Sequence, residues 1–257
     1  MTESDIGWTD NTWNPITGCT KVSEGCRNCY AETLALRLQA MNPTGKYRNG
    51  FKVTIHPETF QDPLKWRKPS LVFVNSMSDL FHKDIPDSIL NQFFDLMEGP
   101  GQRHIYQILT KRPERARDYL GRRWFKRLQP PPNIWIGTSI EDHRAMTRIG
   151  YLHNLSAAVK FISFEPLIGP IPNPERHLSE IGWVIIGGES GPGHRPMEES
   201  WAFDLIKAAR ASKVPVFFKQ WGGARPGGDN RFRGEKIEEY PEAISWINRR
   251  ADRTPIN

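Results

Sequence analysis

Cys19, Cys26 and Cys29 lie within one eleven-residue window of the 257-residue chain, and the sequence holds no other cysteine. They stand in Gly18-Cys-Thr-Lys-Val-Ser-Glu-Gly-Cys-Arg-Asn-Cys-Tyr30. An odd number of thiols leaves one unpaired in any disulfide scheme, so the trio reads as a metal or cluster site. A structural zinc site closes with four protein ligands, and four cysteines hold an ordinary 4Fe–4S cluster. Three leave one metal corner open for a small molecule, which is the signature of a catalytic centre. Two other readings stand beside it. Zinc completed by a distant histidine, such as His56 or His82, would also use these thiols. Three buried, inert cysteines would use them only as small core residues. His82 by itself reads as a helix-start or core histidine, since nothing in the sequence ties it to the cysteines.

The elements that must position this loop are legible as six short apolar runs, each ending in polar residues. They are Leu71-Val-Phe-Val-Asn-Ser76, Tyr106-Gln-Ile-Leu-Thr-Lys111, Ile134-Trp-Ile-Gly-Thr-Ser139, Lys160-Phe-Ile-Ser-Phe-Glu165, Trp183-Val-Ile-Ile-Gly-Gly-Glu189 and Pro215-Val-Phe-Phe-Lys-Gln220. Their starts lie 23 to 35 residues apart, the spacing of strand–crossover–strand units. Continuous β-branched and aromatic runs without alternation suit parallel strands buried on both faces. A further strand over residues 12–18 feeds the cysteine loop, and a helix over 31–41 follows it. Apolar residues at 89, 90, 93, 94, 96 and 97 predict one wide helix face after Asp87. Pro113 opens a helix over 114–128, and Ser200 or a neighbour caps one ending near Ser212. Three prolines between 168 and 179 make that crossover a loop or a short helix.

The fold class expected is α/β, a partial (βα) barrel of six or seven parallel strands in a single domain over residues 1–257. Residues 1–50 form the cysteine-loop region, 51–222 the βα repeats, and 223–257 a carboxyl-terminal loop and helix. Active sites of parallel barrels collect at the carboxyl ends of the strands. Those ends offer Ser76, Ser78 and Asp79; Thr110, Lys111 and Arg112; Ser139 and Glu141; Glu165; Glu189 and Ser190; and Lys219 and Gln220. The cysteine loop opens on the same rim.

The formal net charge is +6, and residues 111–127 alone carry eight cations against Glu114 and Asp118, so the rest of the chain is neutral overall. Trp124 and Phe125 lie inside this run. Cations interleaved with aromatics can follow a nucleic-acid backbone and stack on bases; a solvated helix face with its aromatics turned into the core gives the same pattern. The first thirty residues are too polar for a signal peptide, and no apolar stretch reaches membrane-spanning length. A cytoplasmic protein with reduced thiols and no membrane partner is expected.

A three-cysteine loop between a first strand and a helix, followed by βα units, resembles the radical S-adenosylmethionine (SAM) superfamily and its partial barrel. More closely, the chain resembles the phage-associated three-cysteine-motif proteins, regarded as radical-SAM-like. This likeness runs through Trp8-Thr-Asp-Asn-Thr-Trp-Asn-Pro15, the cysteine loop, Asn75-Ser-Met-Ser-Asp-Leu-Phe-His82, Thr110-Lys-Arg-Pro113, Phe164-Glu-Pro-Leu167, Gly187-Gly-Glu-Ser-Gly191 and Phe218-Lys-Gln-Trp221. Cys26-Arg-Asn-Cys-Tyr-Ala31 is similar to the cluster loop of spore photoproduct lyase-like enzymes. The resemblance implies a 4Fe–4S cluster on Cys19, Cys26 and Cys29, whose open iron binds S-adenosylmethionine. Reductive cleavage of its carbon–sulfur bond would then start radical chemistry.

The superfamily pattern differs in three places. Six residues separate the first two cysteines here instead of the usual three. Asn28 occupies the position of the aromatic that packs by the adenine, with Tyr30 as its substitute. Gly187-Gly188-Glu189 ends a much later strand than the superfamily's Gly-Gly-Glu element, which also reads as a plain turn. Ser76, Ser78 and Asp79 stand where that element belongs and are expected at the methionine end of the cofactor. Lys111 or Arg112 would pair with its carboxylate, and Ser139 would reach its ribose. Glu165, Glu189 and Arg195 are left for substrate or proton handling, or for ion pairs across the barrel mouth. Implied partners are S-adenosylmethionine, a reductant such as flavodoxin or ferredoxin, and a nucleic acid or nucleotide through residues 111–127. Two other functions fit the sequence: a non-redox zinc barrel for hydrolysis or binding, and a nucleic-acid-binding module whose metal only staples the loop.

Overall fold

The computed structural model describes residues 4, 6–225, 227–246 and 254–255. Seven parallel strands hydrogen-bond in chain order: β1 (Asn11–Trp13), β2 (Leu71–Val74), β3 (Ile105–Thr110), β4 (Ile134–Ser139), β5 (Val159–Phe164), β6 (Trp183–Gly187) and β7 (Val216–Gln220). The sheet curls into a half-barrel with six helices: α1 (Tyr30–Met41), α2 (Asp62–Lys65), α3 (Asp87–Glu98), α4 (Pro113–Arg123), α5 (Thr147–His153) and α6 (Glu199–Ala211). All six apolar runs became strands of this sheet, because a strand covered on both faces needs an unbroken apolar sequence. The residues between 168 and 179 form a loop with a short 3-10 turn over Pro174–His177.

Alternation along each strand divides the core in two. Val72, Ile108, Ile136, Ile162, Val184 and Phe218 point outward to the helices, where they join Phe93, Phe94, Ile149 and Leu205. The opposite face contains no α-helix residue and packs Trp8, Phe73, Trp135, Phe161, Trp183, Phe217 and Tyr240 as a floor across the bore. Trp183 is its hub: its ring lies 5.4 to 6.3 Å from those of Trp8, Trp135, Phe161, Phe217 and Tyr240. Higher in the bore the inward residues become small or polar (Gly137, Ser139, Ser163, Gly187), and at the rim they become charged. The mouth is thus open to chemistry at one end only.

Three expected elements differ. The strand over 12–18 is broken at Pro15, which has no N–H to give a ladder. Only Asn11–Trp13 joins the sheet, while Ile16–Thr17 pairs antiparallel with Thr54–Ile55. The helix expected to reach 128 stops at Arg123, because Trp124 turns inward to pack on Phe94 and donates its Nε1 to Glu98 Oε1 at 2.9 Å. Beyond 222 the described residues form small ladders and a 3-10 turn over Glu242–Trp246. No α-helix stands among the described residues of 223–257, and residues 247–253 and 256–257 of the segment expected to carry one lie outside the described residues.

The basic run is not a bare cationic face. Arg115 and Arg122 pair with Asp87, Arg123 with Asp95 and Glu98, and Arg127 with Glu98, so α3 supplies the counter-charge to α4. Trp124 is buried, whereas Phe125 is 84 % exposed and Lys126 has no carboxylate partner among the described residues. Trp183→Ala should remove the hub of the floor and cost about 3–5 kcal/mol in urea unfolding. A loss under about 1 kcal/mol would show that the floor does not hold the sheet in its curl.

Candidate active site

The cysteine loop lies across the carboxyl ends of the strands and is fastened there at each step of its course. Gly18 starts it with φ +86°, and its N–H donates to Met77 O at 2.9 Å. A side chain at Gly18 would meet Lys52 O at 2.3 Å, so both the backbone angle and the space require glycine. Cys19 N then donates to Phe51 O at 3.2 Å. Its thiol lies 3.5 Å from Arg112 Nη1.

Asp79, after β2, organises the first fastening. It accepts from Thr110 Oγ1 at 2.7 Å, from Lys111 N at 3.0 Å and from Arg112 Nη1 at 3.1 Å. So oriented, Arg112 Nη2 donates to both Thr20 O and Thr20 Oγ1 at 3.0 Å. Thr20 Oγ1 is also 2.7 Å from His82 Nε2. Glu141, after β4 and 1 % exposed, makes the second fastening. It accepts from Ser23 Oγ at 2.6 Å and from Arg148 Nη1 at 2.8 Å. The loop approaches it so closely that a Cβ on Gly25 would lie 2.1 Å from Glu141 Cγ. Glu189, after β6 and 3 % exposed, makes the third. Arg195 reaches its two oxygens at 3.0 and 2.5 Å, Asn28 Nδ2 donates to it at 2.9 Å, and Arg195 Nη2 donates to Glu24 O at 2.9 Å.

The electrostatics follow from this packing. Burial pushes the Cys19 thiol above its ordinary value and nearby Asp79 adds to the rise, while Arg112 pulls the other way. Burial alone would raise Glu189, but the hydrogen bonds from Arg195 and Asn28 outweigh it and hold the carboxyl below the usual range. Burial, with Arg112 next, pushes His82 down.

The remaining site residues are placed as follows. Tyr30 donates its hydroxyl to Ser76 O at 2.5 Å. Ser76 Oγ bonds Asn14, and Ser78 Oγ donates to Ile16 O at 3.0 Å. Ser139 is buried on the inward face of β4. Lys111 Nζ has Glu141 as its nearest carboxylate, 3.9 Å away. Glu165, after β5, accepts from Lys219 Nζ at 2.5 Å. The structure therefore brings Asp79, Arg112, Glu189 and Arg195 to the cysteine loop as its supports, while Glu165 makes no hydrogen bond to the loop among the described residues and reaches it only through its charge, which acts on Tyr30. Sequence reasoning missed Ser23 and Arg148, which are a serine in a polar loop and an arginine on a short helix and give no local signal. Lys219 was visible only as a polar strand end.

The three cysteines are free thiols, each partly buried. Among the described residues no three His, Cys, Asp or Glu side chains converge closely enough to hold a single metal ion. His56 Nε2 is 2.8 Å from Thr17 Oγ1, and His82 has both ring nitrogens engaged, the second accepting from Asp84 N at 3.2 Å.

Fold and site together define a class: a parallel half-barrel carrying a three-thiol loop clamped over its carboxyl mouth. The chain belongs to the family described as "Protein of unknown function (DUF5131)", whose model matches residues 3–246. No curated protein and no solved structure matches it.

Glu189→Gln should cost roughly 1–3 kcal/mol at neutral pH by removing the buried charge that Arg195 pairs with and leaving it only Glu24, 3.5 Å away. Because the folded Glu189 carboxyl lies below its ordinary value of 4.5, its contribution is present above that pH and is lost as acid protonates the folded group. The variant should accordingly lose less stability than the natural protein between neutral pH and the acid range, read as melting temperature against pH. Parallel curves would show that Glu189 carries no such linkage.

Proposed function

We propose that the protein is a radical SAM enzyme in which Cys19, Cys26 and Cys29 hold a 4Fe–4S cluster over the mouth of the half-barrel. One observation carries this reading: three free thiols lie on one loop that three strand ends hold over the mouth. The donor set favours a cluster over zinc. Tetrahedral zinc with arms of about 2.3 Å needs its ligands roughly 3.8 Å apart, whereas a cluster spreads its thiolates over separate irons. His56 and His82, the candidates for a fourth zinc ligand, are committed to Thr17 and to Thr20 with Asp84.

A bound cluster of this kind supplies the electron that opens the carbon–sulfur bond of S-adenosylmethionine. The chain's own part is positioning. Arg112, held by Asp79, fixes Thr20 and sits against Cys19; Glu141 fixes Ser23; Arg195 and Asn28, held on Glu189, fix the stretch leading to Cys29. With Arg112 committed, Lys111 is the cation with free donors for the cofactor's carboxylate. Thr20, Lys21 and Val22 lie on the exposed side of the loop, an approach for a reductant such as flavodoxin or ferredoxin. The reduced thiols suit a cytoplasmic setting. No helix among the described residues is long and apolar enough to cross a membrane. Cavities of about 430 and 330 Å³ meet at Lys111 and Arg148, and Lys83, Arg112, Arg115 and Arg144 also border them. Glu24, Glu114, Glu141 and Asp142 line them as well, and the surplus of cations over these carboxylates supports a nucleotide or nucleic acid as substrate.

Anaerobic reconstitution should give about four irons and four sulfides per chain and a reduced EPR signal that shifts when S-adenosylmethionine is added. Cys19→Ser, Cys26→Ser and Cys29→Ser should each lose the signal. One zinc per chain without sulfide would overturn the assignment.

A further inference from the structure

Among the ion pairs at the carboxyl ends of the strands are Asp79–Arg112, Glu141–Arg148, Glu189–Arg195 and Glu165–Lys219. The first three are tied to the cysteine loop through Thr20, Ser23, Glu24 and Asn28. The fourth makes no hydrogen bond or ion pair with that loop among the described residues. It spans from β5 to β7 across β6, where Gly187 leaves room: a Cβ there would stand 3.2 Å from Glu165 Cδ. The side chains of Glu165 and Lys219 are 20 % and 21 % exposed. Glu165 Oε2 has no partner among the described residues, and Lys219 Nζ has only Glu165.

The pair therefore offers three groups side by side: the ammonium as donor, then Oε1 and Oε2 as acceptors, each oxygen with lone-pair capacity to spare. Its net charge is zero, so it gives a phosphate no advantage over a neutral group. A neutral ligand that fills donor and acceptors together leaves no uncompensated charge in the mouth. Guanine presents the complement, with O6 as acceptor followed by N1–H and the N2 amino group as donors. Adenine, cytosine and uracil lack that order.

We infer that Glu165 and Lys219 are the substrate-reading pair of the mouth and that they take a guanine base by its Watson–Crick edge. Lys219 donates to O6, and Glu165 accepts from N1–H and N2–H. The inference rests on the reading of the mouth as an active site, but the recognition itself needs neither cluster nor cofactor. The guanine could come from a free nucleotide or from a nucleic-acid strand, and the chemistry is the same for both.

The test is equilibrium binding of GMP, IMP, AMP, CMP and UMP to the full-length reconstituted protein. GMP should bind about tenfold or more tighter than AMP, CMP and UMP, with IMP between them for want of the amino group. E165Q, which turns one acceptor into a donor, and K219M should each abolish the preference without changing the melting temperature. If either single variant fails to fold, E165K/K219E keeps the ion pair while reversing donor and acceptors, and it should fold with the guanine preference gone. Single-stranded oligonucleotides of each base, run beside the monophosphates, identify the source: binding of the guanine strand more than about tenfold tighter than GMP marks nucleic acid. Equal affinity for all five nucleotides, or a guanine preference surviving in E165Q or E165K/K219E, would overturn the inference. Because the cysteine variants should retain guanine binding, failure of the cluster assignment is read separately.

Discussion

A buried carboxylate must be matched, and at this mouth the matching is done largely by one loop and the arginines that hold it. Asp79, Glu141 and Glu189 are each under a tenth exposed, and each stands where a strand ends. Each holds an arginine and, directly or through it, a polar group of residues 20–28. The loop has no regular secondary structure except a single 3-10 turn over Glu24–Cys26. Its order is therefore borrowed from the sheet, and the sheet's rim charges are in turn neutralised by holding it. Without the loop, three carboxylate–arginine pairs would lose part of their hydrogen bonding. Without the pairs, the thiols would have no fixed relation to one another.

This arrangement sorts the polar residues of the rim into two kinds. Most of those after β2, β3, β4 and β6 serve the cysteine loop, so its ordered scaffold is built from residues that elsewhere on such a rim would face a ligand. Glu165 and Lys219, after β5 and on β7, pair with each other beside Gly187 and make no hydrogen bond to the loop among the described residues, Glu165 acting on it only through its charge at Tyr30. Beneath both, the aromatic floor around Trp183 closes the bore, which confines any ligand to the upper part of the half-barrel.

The strands were legible because burial on both faces leaves a local mark: an unbroken apolar run such as Trp183-Val-Ile-Ile, ended by glycine or a charge. The helix over Asp87–Glu98 was legible for the same reason, through the spacing of Leu90, Phe93, Phe94 and Met97. What the sequence could not yield were pairings made across the rim. Arg112 meets Cys19 over 93 positions, Ser23 meets Glu141 over 118, and Asn28 meets Glu189 over 161. No periodicity encodes such contacts. The counter-charges of the basic run over 111–127 were hidden for a related reason, since they sit on the preceding helix at Asp87, Asp95 and Glu98. The strand over 12–18 looked continuous because its apolar residues are, yet Pro15 divides it between two sheets.

The order of the strands in the sheet is the order of the chain, and that has a consequence for synthesis on the ribosome. The cysteines precede every group that fastens their loop from the strand ends, and those groups arrive one after another, the last being Arg195. At roughly 5–20 residues per second, about 10–30 seconds separate Cys29 from Arg195. Throughout that interval the loop has all its thiols but not all its fastenings. The fully fastened form of the loop must accordingly wait until β6 and the turn after it have left the ribosome.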